Sequence, residues 1–558
     1  MDFKTYISAI ERKLSQMTEI QKTDWIYNQA RIVEENQRKD FLDSLSGRKN
    51  NHTELMPGNI LEWCNQIDSG EIYFETEEYE YYEEGAWESD WRTEYHDVFG
   101  IIPFLGEAIN TCYQLLWQKE YDSTVQLLNR IFNLTFHTDC ENDWSSEFAD
   151  GLSIDDLASE GLFSGDFRKM SLCLLYACYQ TNTGQDRIEK IYEYLKQKQC
   201  STIVLTDVFA YGPEKITDER DFMIKWRTFL MNALGDRAAE LLVDACIYIG
   251  GDDYLLETAE ENVNNHPHLY KVCCERKYHC KEYEMCIEIA EEAVKQIDAN
   301  KVIRADISDI AIKAAKEIEY ENVAHFYKTA FYSNPNSWHL LRLFKLEDKN
   351  VLEEALKMVQ TLEPVSFPQN TGSVENRKAA IYDRNQKMFY LFLLGDYKDI
   401  MKECQKNDSY LGWSSDIKGT IIPLLLLYLK KDEKQRTCAE RNLIEQIKYR
   451  IQFESIENEL FDEYLSIWRN SGIIPENEDN IYIQWLSREI DERTEHVVGG
   501  GHRKSYYKAA ELIVVLGAIK EERGEINGMQ NLVNYYKKQH SRKRAFREEI
   551  DTLAKKCL

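Results

Sequence analysis

Apolar positions recur at helical spacing along most of the chain, and the clearest stretch is Leu269–Leu341. The segment KEYEMCIEIAEEAV from Lys281 aligns without gaps with IEYENVAHFYKTAF from Ile318. Tyr283 matches Tyr320, Cys286 matches Val323, Ile287 matches Ala324 and Ala293 matches Ala330. Each tyrosine is expected early in a helix, with small or apolar residues following three, four, seven and ten positions on, which is one helical face. A further helix-period run precedes each segment: Leu269, Val272 and Cys273, then Ile307, Ile310, Ala311 and Ala314. The predicted unit is helix, short turn, helix. Asn334-Pro335-Asn336 closes the second unit, because proline disfavours helical geometry in the residue before it.

The same pattern extends outward. Lys119-Glu120-Tyr121, followed by Thr124, Val125, Leu128 and Ile131, is a third copy, and Gly395-Asp396-Tyr397 with Ile400 and Met401 a fourth. Phe3, Ile7, Ile10 and Leu14, then Trp25, Ala30, Ile32, Phe41 and Leu45, predict two N-terminal helices that would cap a helical array. Gly212-Pro213 reads as a break between blocks, Gly250-Gly251 as a turn, and residues 363–377, with two prolines and a glycine, as a linker. The expected organisation is a cap over 1–60, helical repeats with an insertion over 61–205, further repeats over 206–362, a linker over 363–378 and a helical domain over 379–558.

The early tyrosine, the alanines at close-packing positions and the Asn-Pro-Asn terminus make residues 269–341 resemble tetratricopeptide-type repeats. The two tyrosines lie 37 residues apart, against 34 in that family, and the family's Leu-Gly is missing. The resemblance implies an all-α superhelix of stacked hairpins whose curved surface binds proteins. The C-terminal helices from His502 loosely resemble the extension of some bacterial SWIM zinc-finger proteins. The finger is missing: no Cys-x-Cys is followed by Cys-x-His.

Composition narrows the picture. Nine prolines and 25 glycines in 558 residues make the chain poor in helix breakers, which favours an all-α fold. A net charge of −29 repels nucleic acid and anionic membranes as a whole-molecule field. Fourteen cysteines without a secretory apolar segment point to free thiols in the cytoplasm. The longest strongly apolar run, Ile421–Leu429, is too short to span a bilayer.

Residues 71–97 break the helical pattern by interleaving acids with aromatics. A solvated loop is one reading, with a β-hairpin in its tyrosine-rich part. The other is a contact surface for a basic partner, with Tyr79, Tyr81, Tyr82, Trp87 and Trp91 as anchors and Glu83 and Glu84 as steering charges. Two basic features offer an alternative. Gly499-Gly500-Gly501 leads into Arg503 and Lys504 at a helix start, which can hold an anion, and Arg542, Lys543 and Arg544 belong to the single basic cluster. The alternative function is a regulator linked to nucleic acid, either through the C-terminal basic cluster or through an acidic surface that competes for a nucleic-acid-binding protein.

His266, His268, Cys273, Cys274, His279, Cys280 and Cys286 form the densest set of metal-ligand types. They lack the paired spacing zinc uses, and Cys273, Cys280 and Cys286 fall on expected core positions. No metal or cofactor is expected. No His-Glu-x-x-His, Gly-x-Ser-x-Gly or dinucleotide fingerprint occurs, so the expected function is a non-catalytic protein-interaction scaffold.

Overall fold

The computed structural model describes residues 55–81, 90–139, 151–365, 377–406, 410–413, 416–430, 436–453 and 461–556. The expected cap helices before residue 55 lie outside the described residues, as does 366–376 of the expected linker. Among the described residues, twenty-four α-helices and one three-stranded sheet give an all-α fold with a small β insertion. Among the described residues no helix is long and apolar enough to cross a membrane. The chain divides into two compact units, Met1–Asn232 and Ala233–Leu558.

In the first unit, α1 (Pro57–Asp68) opens on a proline, whose fixed φ suits a first turn. It buries Ile60, Trp63, Cys64 and Ile67, one helical face. β1 (Tyr73–Tyr81) and β2 (Asp90–His96) follow. The Asp97 carboxylate accepts from the Ile101 and Ile102 amides at 2.6 and 2.9 Å and starts α2 (Ile101–Trp117). After α3 (Tyr121–Phe132), β3 (His137–Thr138) pairs parallel to the root of β1. A capping box between Ser153 and Asp156 sets α4 (Ile154–Ser159).

The centre of this unit is α5 (Phe167–Thr181), buried without a break from Met170 to Tyr179. It packs against α2, α3, α6 (Gly184–Leu195) and α7 (Leu205–Tyr211). Tyr179 meets Phe209 and also Phe222 of α8 (Glu219–Leu230) edge-on, at 5.6 and 5.0 Å. Gly212-Pro213 joins α7 to α8 inside this unit. A Cβ at Gly212 would overlap the Tyr176 ring, whose hydroxyl donates to the Glu214 carbonyl at 2.7 Å.

The second unit begins with α9 (Asp236–Glu261), which Gly251 breaks at φ 74°, ψ −152°. Only glycine takes that geometry without strain, so two helical segments meet at Gly251, at the expected Gly250-Gly251 turn. Then come α10 (His268–His279), α11 (Tyr283–Gln296), α12 (Ile303–Glu317), α13 (Ala324–Ser333), α14 (Ser337–Leu343) and α15 (Lys349–Thr361). From α9 to α14 each helix packs on the next. Alternate helices also touch, α10 with α12 and α13 with α15.

The tyrosine-marked turns share one geometry. Lys119, Lys281 and Gly395 take positive φ (66°, 62° and 122°). The amide after each reaches back to a carbonyl of the preceding helix: Glu120 to Leu115, Glu282 to Lys277 and Asp396 to Leu391, all at 2.9 Å. This is the Schellman closure, and Tyr121, Tyr283 and Tyr397 then open their helices. Tyr320 departs from the expectation that each tyrosine starts a helix. Glu319 takes the positive φ, and Tyr320 itself supplies the returning amide to Ala315 at 2.9 Å. The ungapped alignment is therefore one residue out of structural register there, and α13 starts only at Ala324.

The remaining helices are α16 (Arg384–Leu394), α17 (Tyr397–Lys406), α18 (Lys418–Leu429), α19 (Cys438–Arg450), α20 (Phe461–Asn470), α21 (Asp479–Thr494), α22 (Tyr506–Glu522), α23 (Gly528–Gln539) and α24 (Arg544–Lys556). Every residue of α18 is buried. α22 packs against α18, α19, α21, α23 and α24. Within this apolar setting Lys418 and Glu489 pair at 2.9 Å, both buried, tying α18 to α21. A second buried cluster ties α12 to α14: Asp309 receives Arg342 at 2.6 Å and His339 Nε2 at 3.0 Å.

Candidate functional site

β1 and β2 form an antiparallel ribbon, and the sheet order β2-β1-β3 leaves β2 at an edge. Its root is apolar. Phe74 is fully buried between Tyr95 and Phe136, at 6.5 and 6.4 Å between rings, and Tyr73 meets Phe99 at 5.1 Å. Asp139 fastens the strand two residues beyond Phe74, accepting from the Thr76 amide at 2.9 Å and hydroxyl at 2.6 Å. Beyond that point burial ends: Glu77, Glu78, Tyr79 and Glu80 are all exposed, as are Thr93 and Glu94 opposite. A strand that buries neither face has no apolar reason to alternate, and the sequence there is acids and aromatics instead.

The register places Glu75 opposite His96, Glu77 opposite Glu94, Tyr79 opposite Arg92, Glu80 opposite Trp91 and Tyr81 opposite Asp90. Two glutamates directly opposite repel. His96 stands 3.7 Å from Glu77, a pairing that is ionic only when the imidazole is protonated. Of the sequence-derived anchors, Tyr79 lies on the ribbon with 43% of its surface exposed. Tyr81 and Trp91 occupy ribbon positions whose backbone alone is described, and Tyr82, Glu83, Glu84 and Trp87 lie outside the described residues.

The basic features meet at one place. Lys543 Nζ donates to the Gly499 carbonyl at 3.0 Å, joining the basic cluster to the glycine turn. The glycines have steric reasons of their own. A Cβ at Gly500 would overlap the His496 carbonyl, and Gly501 sits at φ 84°. Arg544 is paired with Glu548 at 2.7 Å, while Arg503, Lys504 and Arg542 are exposed.

Four members of the cysteine-histidine set are packed into the interior. Cys273, Cys274, Cys286 and His266 are buried, and the Cys274 thiol lies 3.8 Å from the Cys286 carbonyl. Burial pushes the Cys273 thiol up to about 12, which makes it a poor nucleophile or ligand at neutral pH. Cys280, expected in the core, is exposed instead, because it sits one residue past the end of α10.

Sequence reasoning passed over a polar cleft in the second unit. Two cavities of about 600 and 430 Å³ share Asp383, Arg450 and Gln452. The smaller is also lined by Asn334, Asn336, Arg377, Lys378 and Tyr382. The adjacent cations Arg377 and Lys378 were visible in the sequence, but their meeting with Arg450 depends on the fold. Compared with protein-family models, curated proteins and solved structures, the chain matches none.

Proposed function

We propose that the protein is a non-catalytic cytoplasmic scaffold, its tetratricopeptide-like hairpins carrying an acidic ribbon that takes a basic, extended protein segment. The observation that supports this best is the Glu77–Glu94 pair. Two like charges opposed on an exposed edge ribbon weaken the ribbon itself, and a cation brought by a partner relieves that repulsion. The edge of β2, which pairs on one side only among the described strands, offers strand addition, Tyr79 offers contact area, and a net charge of −29 steers a basic partner at long range.

The test separates binding from folding by sign. Fluorescence anisotropy with an arginine-rich peptide is run on the wild type, Glu77→Gln and Glu94→Gln. Each variant should bind about three- to tenfold more weakly, the worth of an exposed to partly desolvated ion pair. Each should also unfold at an equal or higher temperature, because the repulsion is gone. Unchanged affinity in both variants defeats the assignment.

A second reading is direct contact with nucleic acid through Arg503, Lys504 and Arg542, and the Lys543–Gly499 contact favours it by gathering these groups. It predicts salt-sensitive binding of single-stranded RNA or DNA that is lost in an Arg503→Ala/Lys504→Ala/Arg542→Ala variant.

A further inference from the structure

We infer that the cleft between the Asn334–Asn336 turn, the Arg377–Asp383 segment and the C-terminal end of α19 is a binding site for a small organic polyanion, one carrying at least two phosphate or carboxylate groups. Its size falls in the range of small-molecule sites, and its lining is polar, with three cations in the 430 Å³ cavity against the single carboxylate of Asp383. In a chain with 97 acidic and 68 basic residues that local excess runs against the composition.

The carboxylates nearby are committed elsewhere. Asp383 caps α16 through the Asn385 amide at 3.2 Å, Asp416 accepts from the Lys418 amide at 2.8 Å, and Glu445 holds Lys448 at 2.9 Å. Arg377, Lys378 and Arg450 make no carboxylate ion pair among the described residues. Arg450 donates to a neutral acceptor, the Trp413 carbonyl, at 2.7 Å. Burial lowers its pKa, with the charge of Asp416 opposing.

The walls are held in place before any ligand arrives. The Val302 amide donates to the Arg377 carbonyl at 2.9 Å and the Ala379 amide to Asn300 at 2.7 Å, fixing the segment that carries both exposed cations. Asn336 caps α14 through the His339 amide at 2.8 Å, and His339 is locked on Asp309. Gly419 lets the Arg450 guanidinium lie against the first turn of α18, where a Cβ would overlap Nη1. Cations on two walls of one cavity suit a ligand with two separated anionic groups. The Tyr382 ring and the Gln386 and Gln452 amides can engage its organic part.

Isothermal calorimetry on the full chain with ATP, pyrophosphate and citrate tests this. At least one probe should bind with a dissociation constant in the micromolar range, ATP or pyrophosphate marking a phosphate ligand and citrate a polycarboxylate. The Arg377→Ser/Lys378→Ser variant should weaken that binding about tenfold or more, the worth of charge-assisted hydrogen bonds. Both residues are exposed and outside any ion pair among the described residues, so thermal unfolding of the variant should match the wild type. No heat with any probe, or equal affinity in the variant, overturns the proposal. The ribbon variants should leave this binding unchanged.

Discussion

Asp309 and Glu511 are both buried carboxylates, yet they respond to pH with opposite sign. Burial raises the Asp309 carboxyl, but the hydrogen bond from His339 and the charge of Arg342 outweigh it and hold its pKa below the ordinary value. The unfolded chain therefore binds more protons there. Its contribution to stability is complete above the ordinary aspartate pKa of about 4 and is lost as the pH falls through the depressed native value. Among the described residues Glu511 accepts from the Asn442 and Gln446 amides at 2.6 and 2.9 Å and pairs with no cation. Burial raises its pKa despite them. Its contribution is favourable below the ordinary glutamate value and declines as the pH rises through the raised native one. Urea unfolding at pH 7 should show Glu511→Gln more stable than wild type by on the order of 1 kcal/mol, and Asp309→Asn, which strands Arg342, less stable by about 3–5 kcal/mol. At pH 4 the gain from Glu511→Gln should shrink. A loss of stability for Glu511→Gln at pH 7 would contradict this assignment of sign.

At the scale of elements, the hairpin turn is the unit that repeats. Lysine at positive φ carries strain of about 1–2 kcal/mol, which glycine removes at about 0.5–1 kcal/mol of added unfolded-state freedom. Lys281→Gly should stabilise by about 0.5 kcal/mol, Lys119→Gly should gain less because it also removes the Lys119–Glu214 ion pair at 2.7 Å, and Gly395→Ala should destabilise by about 1 kcal/mol, read from thermal unfolding. The tyrosine that follows the turn was legible in the sequence because its neighbours recur at helical spacing. The strained residue was not, because lysine, glutamate and glycine all serve there, and the slip at Tyr320 follows from that freedom. The ribbon was legible only as a tyrosine-rich stretch able to pair. Its root is held from outside, by Phe136 against Phe74 and by Asp139 on Thr76, and its register sets Glu77 against Glu94. The cleft was illegible, since residues 334–336, 377–383 and 450–452 meet only when four helices and an extended segment have come together.

For the whole molecule, the order of synthesis matters as much as the order of packing. α18 is wrapped on every side, and part of that wrapping comes from α21 and α22, which lie far downstream. On the ribosome, the apolar run Ile421–Leu429 emerges well before Tyr506 has been added to the chain. For that interval the nascent protein carries a greasy, uncovered helix, the kind of surface that chaperones hold and that aggregates form around. Chains ending at Arg503 should collect in the insoluble fraction, while Met1–Asn232 alone should remain in the supernatant on ultracentrifugation. The acidic first unit is then already folded while the second waits for its last three helices, and its charge keeps the unfinished chain dispersed.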